Sequence, residues 1–377
     1  MGRTRRAHRR GRSAPGQQPG SGFSARSAPT GVTRPPSVPN SAQEASAPGS
    51  FPLSRWARQT PRVTTGTSSG RRGASGGAEP GPVRRWVLGA RPRTLPAAVV
   101  PVAVGIACAV GEGHGLSAWR MVAALVVSLA LQVATNYAND YSDGVRGTDS
   151  AGRVGPLRLV ASGLASPRHV KLAALAAFGV AGLAGLALAV VVGWELLLVG
   201  AACMAAGWFY TGGPRPYGYA GLGELFVFAF FGLVATAGTT YVLVERVTGL
   251  AVAAAVPVGF LVTAILVVNN LRDIPTDAAT GKRTLAVRLG DRRTRGLYVA
   301  LVTATFVAVP IVAGLGERPL GALSLAALVI ARRPVTVVLS GAKGPALIPV
   351  LGGTGRLHLV FGLLFAFGVL VSGALGN

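Results

Sequence analysis

The sequence predicts an all-α, multi-pass membrane protein of about nine transmembrane helices, and three observations predict it. Half of the 377 residues are apolar and only 13% are charged, where a soluble domain carries roughly 25% charged residues. From residue 86 onward, long apolar stretches alternate with short polar loops, as in chains whose backbone groups must be satisfied inside lipid. The basic residues of that region are also sided: 11 of its 22, Arg146, Arg153, Arg158, Arg168, Arg272, Lys282, Arg283, Arg288, Arg292, Arg293 and Arg295, fall in loops 139–169 and 271–295, while each loop on the opposite side holds at most one.

In chain order, residues 1–85 come first. They hold 15 Arg, no Lys and only two acids, Glu44 and Glu79, and contribute +13 of the formal net charge of +24. Rich in Gly, Pro and Ser and without an aliphatic run, they bury too little surface to offset the entropy of ordering, so a disordered tail is expected. No apolar core of the kind a secretory signal needs occurs before residue 95. Basic residues beside a first span are what the positive-inside rule predicts, so the tail is read as cytoplasmic, with no nucleic-acid partner. Arg outnumbers Lys 34 to 3, which suggests a GC-rich bacterial genome and a bacterial cell membrane.

The expected spans run over 94–111, 118–138, 170–192, 195–210, 222–244, 249–270, 296–315, 319–341 and 355–375, each near the ~20 residues that cross ~30 Å of hydrocarbon. Arg332, Arg333 and Pro334 interrupt the eighth, so a kink or a cytoplasmic end is expected there. With the tail inside, loops 139–169, 211–221, 271–295 and 342–354 face the cytoplasm. Cys108 and Cys203 lie in apolar stretches, which excludes a disulfide framework and a cysteine-rich metal site. His114, His169 and His358 are scattered, as surface or interfacial residues are.

The aspartates are the informative residues. All six, Asp140, Asp143, Asp149, Asp273, Asp277 and Asp291, fall in the two large basic loops or the helix ends that feed them. Five lie in two segments of related layout, NYANDYSDGVRGTDSAGR at 136–153 and NNLRDIPTDAATGKR at 269–283. Asn139 precedes Asp143 by four residues, and Asn269 precedes Asp273 by four; a further Asp, a Gly and a base follow each pair. Residues four apart share a helix face, so each pair projects together from the cytoplasmic end of span two or span six. Carboxylates brought that close repel unless a hard cation reconciles them. Mg²⁺ is the cation usually held by a few carboxylates plus substrate phosphates. Arg146, Arg153, Lys282 and Arg283 would then grip diphosphate oxygens. Turn and capping chemistry explains either segment alone, but two such segments at membrane depth point to function. Asp291, in a DRRTR run, reads as a solvated helix start. Pro275 is expected to end its helix and leave Asp277 on the following loop.

NDYSDGVRGTD at 139–149, GPLRLVASG at 155–163, YTGGPRPYGYAGLGE at 210–224 and NNLRDIPTDAATGKRTLAVRLG at 269–290 together resemble the UbiA superfamily of intramembrane prenyltransferases. Within it they look like the branch that prenylates 1,4-dihydroxy-2-naphthoate in menaquinone synthesis. The resemblance covers residues 86–377, the expected transmembrane domain, and implies a nine-helix bundle around a membrane-embedded cavity, capped by cytoplasmic loops and open laterally to lipid. It implies Mg²⁺ as cofactor and a polyprenyl diphosphate and a dihydroxynaphthoate as substrates. The metal-binding residues would be Asn139, Asp143, Asp149, Asn269, Asp273 and Asp277, with Asp143, Asp273 and Asp277 carrying catalysis. Gly147 stands where many members of the superfamily have the next carboxylate, which here comes two residues later at Asp149. Arg215 falls near where other members place a base against the diphosphate.

The implied reaction is ionisation of the allylic diphosphate, attack by the electron-rich ring, and loss of carbon dioxide from the attacked carbon to give a demethylmenaquinone in its reduced, quinol form. The apolar FVFAFFG run at 226–232 would line the tunnel for the prenyl tail. Other prenyltransferase branches, of ubiquinone, haem or chlorophyll type, are separated only by the loop signatures. Asp140, Asp143 and Gly144 also begin the DxxDG of a CDP-alcohol phosphotransferase, but Val145, Arg146 and Gly147 depart from that pattern. An ion-coupled transporter would keep its carboxylates near the bilayer midplane instead of at one face.

Overall fold

A computed structural model of the chain describes residues 80–112, 116–148, 155 and 157–376. Among them every regular element is helical. The first helix, α1 (Pro82–Gly89), starts four residues before the expected domain boundary, with proline at its first position, where the missing N–H costs nothing. A 3-10 turn (Pro92–Thr94) and α2 (Pro96–Ala109) follow at a bend of 52°. Then come α3 (Ala118–Arg146), α4 (Pro167–Val192), α5 (Glu195–Phe209) and α6 (Gly223–Val227). A π-helical segment (Phe228–Val234) joins α6 to α7 (Ala235–Val244). The chain ends with α8 (Gly249–Ala279), α9 (Leu285–Leu315), a 3-10 segment (Pro319–Ala327) running into α10 (Leu328–Leu339), and α11 (Ile348–Leu375).

Seven of these helical stretches are long and apolar enough to cross a membrane, and the bent pair around Leu95 makes an eighth, so this is a multi-pass membrane protein. Among the described residues the expected count of nine is not confirmed. The stretch expected as the fourth span, α5, has 15 residues, or roughly 22 Å of helix against ~30 Å of hydrocarbon.

The burial pattern separates inner from outer helices. In α8, 67% of the apolar stretch is buried, against 22% in α4. Accordingly α4 exposes Leu172, Leu175, Val180, Leu183, Val190 and Val191, as a helix facing lipid does. The main core joins α2, α8, α9 and α11 through Val100, Val104, Val258, Leu261, Tyr298, Phe306, Leu357, Phe361 and Phe365. A smaller one packs α1 against α3 and α4 around Tyr137, Leu159, Val170 and Phe178. With no hydrophobic drive between helices in lipid, small residues permit the closest crossings. A Cβ on Gly232 of the π segment would lie 2.6 Å from Gly259 Cα of α8.

Three expectations change. Pro275 does not end its helix: α8 continues to Ala279 and keeps Asp277 buried within it. The proline removes the N–H that would have met the Leu271 carbonyl, and the helix runs on through it, with the next residue's Thr276 Oγ1 donating to the Asp273 carbonyl at 2.9 Å. The eighth span is irregular in its first half, the 3-10 segment before Leu328, and α10 runs on through Arg332, Arg333 and Pro334. His358 is no surface residue but fully buried, on the α11 face that carries Leu357 and Phe361 into the core. His169 is exposed in the first turn of α4, its N–H donating to the hydroxyl of the capping Ser166 at 3.4 Å, and His114 lies outside the described residues. Asp291 behaves as expected: past the break at Gly290 it pairs with Arg295 at 2.7 Å and stays partly exposed.

Candidate active site

The last two turns of α3 and the last three of α8 face one cavity of about 1140 Å³. Asn139 and Asp143 line it from α3, and Asn269, Asp273 and Asp277 line it from α8. Because α8 stays helical through Pro275, the last three recur at intervals of four and share one face. The cavity runs from there to Val102, Ala124, Leu188 and Val242. From Asp143 to Ala124 is roughly 28 Å along α3, about the thickness of a bilayer core. Its walls are apolar over most of that length, with Leu131, Val127, Phe226, Phe230 and Phe231 among them. Phe228 turns away to stack on Phe260 at 5.4 Å.

Asp143 is buried and held from both oxygens. Oδ1 accepts from the Tyr219 hydroxyl at 2.5 Å and from Lys282 Nζ at 3.2 Å, and Oδ2 faces Arg158 Nη2 at 3.5 Å. Thr211 Oγ1 donates to Asn139 Oδ1 at 2.8 Å. Across the cavity, Arg272 grips Asp273 through Nε and Nη2, both at 2.7 Å, and reaches Asn269 Oδ1 at 2.9 Å. The loop before α6 and the loop after α8 are stitched together by Arg283 N–H donating to the Tyr219 carbonyl at 3.0 Å. Lys282 lies over the Tyr219 ring, 4.7 Å from its centroid. Burial and the Asp143 carboxylate push the Tyr219 phenol up, so it stays protonated as a donor.

Of the expected phosphate-binding residues, Lys282 lines the cavity. Arg146, Arg215 and Arg283 do not. Arg146 instead donates to the Thr211 and Gly213 carbonyls and covers the outer face of Tyr219, 5.6 Å from the centroid. Arg215 and Arg283 are exposed. Asp149 and Arg153 lie outside the described residues. Arg158 and Arg272 line the cavity although the sequence offered them only as loop charges. Their signal was their place inside the quoted motifs, Arg272 between Asn269 and Asp273, and Arg158 in GPLRLVASG.

The lining carries six cations, Arg91, Arg93, Arg158, Arg272, Lys282 and Arg356, against three carboxylates, Asp143, Asp273 and Asp277. That excess of positive charge suits an anionic ligand. Among the described residues no three His, Cys, Asp or Glu side chains form a metal cage of their own. The donors present are carboxylate and amide oxygens on two facing helices, which fits Mg²⁺, an ion that completes its shell with water and substrate phosphate.

The sequence signature of the UbiA prenyltransferase family matches residues 98–337. The chain belongs to the UbiA prenyltransferase family. It is 50% identical over 291 residues to the 1,4-dihydroxy-2-naphthoate octaprenyltransferase of Mycobacterium tuberculosis, which covers 77% of this chain and 98% of the relative. The Escherichia coli enzyme of the same name is 34% identical, covering 76% of this chain and 95% of the relative. Among solved structures, a UbiA homolog from Archaeoglobus fulgidus bound to DMAPP and Mg²⁺ has the same fold, with a TM-score of 0.52 at 18% identity over 76% of this chain and 99% of that one. The expected all-α UbiA bundle is therefore the fold observed.

Proposed function

We propose that this UbiA-family protein transfers a polyprenyl chain from its diphosphate to 1,4-dihydroxy-2-naphthoate in menaquinone biosynthesis, releasing diphosphate and carbon dioxide. The observation that carries it is the convergence of Asn139–Asp143 and Asn269–Asp273–Asp277 on the cationic end of one long apolar cavity. The names and the identity of the relatives support the acceptor.

Oxygens of Asn139, Asp143, Asn269, Asp273 and Asp277 would hold Mg²⁺, which when bound would supply charge neutralisation for the departing diphosphate. Lys282, Arg158 and Arg272 bind the diphosphate oxygens, and the Tyr219 hydroxyl orients Asp143. As the allylic carbon–oxygen bond breaks, its electron pair leaves with the diphosphate and an allylic cation remains. The apolar wall holds the tail, at about 0.8 kcal/mol per buried CH₂, and keeps water from the cation. The naphthoate ring attacks the cation. Loss of carbon dioxide from the attacked carbon returns the electron pair to the ring, so no protein base is required. At the side built by Arg91, Arg93 and Arg356, residues 88–97 and 348–359 contain no carboxylate, which suits an acceptor that is itself a carboxylate.

In this reading residues 1–85 stand apart from the catalytic unit of residues 86–377, and the loops that carry the two motifs face the cytoplasm. Purified protein supplied with Mg²⁺ and a polyprenyl diphosphate is expected to prenylate dihydroxynaphthoate and release its carboxyl carbon as carbon dioxide. Preference for 4-hydroxybenzoate, or transfer without decarboxylation, would reject the assignment.

A further inference from the structure

Asp140 stands between Asn139 and Asp143 in the sequence, is fully buried, and does not line the cavity. Its side chain leaves α3 on another face and meets the segment that follows the helix. There its oxygens accept from two successive backbone amides, Leu159 N–H to Oδ2 at 2.7 Å and Val160 N–H to Oδ1 at 3.1 Å. One turn further on, Gly144 clears the space for that segment: a Cβ there would lie 2.4 Å from Val160 Cγ1. Leu159 itself is fully buried in the core between α1, α3 and α4. The segment then turns back on itself, with Ser162 N–H donating to the Arg158 carbonyl at 3.0 Å and Ala165 N–H to the Leu159 carbonyl at 3.1 Å.

The residue next to this anchor is Arg158, whose Nη2 lies 3.5 Å from Asp143 Oδ2 at the cavity lining. Lys282 approaches the other oxygen of the same carboxylate. We propose that Asp140 is a positioning residue for diphosphate binding, fixing the 157–164 segment so that Arg158 and Lys282 flank Asp143 from its two oxygens. It belongs to the first aspartate-rich segment without being one of its metal ligands. The inference rests on the reading of the cavity as a prenyl diphosphate site.

The test uses the full chain in detergent with Asp140→Asn, Asp140→Ala, Arg158→Ala and the Asp140→Asn/Arg158→Ala double variant. Asp140→Asn keeps the shape but turns one acceptor into a donor against an amide N–H. It is expected to raise KM for the prenyl diphosphate about tenfold, the scale of one charged hydrogen bond, with KM for the aromatic acceptor unchanged. The double variant is expected to be no worse than Arg158→Ala alone, because the role of Asp140 runs through Arg158. Hydrogen exchange of the substrate-free protein is expected to accelerate at the Leu159 and Val160 amides. A folded Asp140→Asn protein with wild-type KM, equal shifts in both KM values, or full additivity with Arg158→Ala would overturn the inference. If Asp140→Ala does not fold, Asp140→Asn carries the decision. A wild-type protein that uses no prenyl diphosphate would reject the function instead, and unchanged exchange at Leu159 and Val160 in the Asp140 variants would still reject the anchoring.

Discussion

Lys282 Nζ lies 3.2 Å from Asp143 Oδ1, which joins the loop after the second motif to the carboxylate of the first across 139 positions of chain. Both groups are buried, so neither is satisfied by bulk water if the other is removed. On the proposed function, an entering diphosphate would give the lysine a new partner and release the carboxylate toward a cation.

The first prediction follows from that exchange. Lys282→Met is expected to raise KM for the prenyl diphosphate by about tenfold or more, as loss of a charge-assisted contact does, with a smaller effect on the acceptor. Steady-state kinetics with each substrate varied in turn would show it. Equal KM shifts for both substrates would place the lysine elsewhere in the cycle.

The second concerns the carboxylates. Asp143→Asn, Asp273→Asn and Asp277→Asn each remove a donor charge from the cavity wall, and each is expected to lower turnover on the order of a hundredfold while the protein still folds. Removal of divalent ions with a chelator is expected to abolish turnover, and Mg²⁺ to restore it. Near-normal turnover in any one of the three purified variants would remove that residue from the site.

The third tests packing. Gly232→Val places a side chain where a Cβ already lies 2.6 Å from Gly259 Cα. Two helix backbones must separate, and overpacking of this kind costs about 1–3 kcal/mol. The thermal unfolding midpoint in detergent is expected to fall, whereas Gly238→Val, where an added Cβ meets nothing within 4 Å, is expected to leave it nearly unchanged.

How far these residues were legible in sequence depends on the range of the forces that place them. Asn139 with Asp143 and Asn269 with Asp273 repeat at a local helical period, so both pairs could be read directly. Asp277 lines the cavity from within α8, not from the loop expected after Pro275. The stop expected at Pro275 is a local rule, and the packing of α8 as an inner helix overrides it. Arg158 was missed as a cavity residue because its segment is held through a contact between Asp140 and two backbone amides, and residue types do not announce such a contact. The exposed bases Arg146, Arg215 and Arg283 looked equivalent to Lys282 in the one-dimensional pattern, and only the closure of the Tyr219 loop separates them. The buried His358 was missed for a similar reason, since nothing local marks α11 as an inner helix.

The fourth prediction concerns the basic N-terminal segment. The Mycobacterium relative is matched over 98% of its length by 77% of this chain, so an enzyme of that name has no need of the remainder. Deletion of residues 1–80, which ends before α1 opens at Pro82, is expected to leave turnover in detergent nearly unchanged. A large loss would show that the segment takes part in catalysis.

The last prediction joins topology to chemistry. Thr280 caps the end of α8, directly after Asp277 and Ala279, and Val247 lies just before the start of the same helix; both are exposed. A helix of 31 residues separates them, roughly 45 Å of rise and more than the ~30 Å of hydrocarbon. If the basic loops face the cytoplasm, the two positions lie on opposite sides of the membrane. In a background with Cys108 and Cys203 replaced, Val247→Cys is expected to react with a membrane-impermeant thiol reagent in intact cells, and Thr280→Cys only after the membrane is opened. Prenyl diphosphate with Mg²⁺ is expected to slow labelling at position 280 but not at 247, because Lys282 and Asp277 beside it line the cavity. Labelling of Thr280→Cys in intact cells would invert the orientation, and equal substrate protection at both positions would show that the effect is not local to the site.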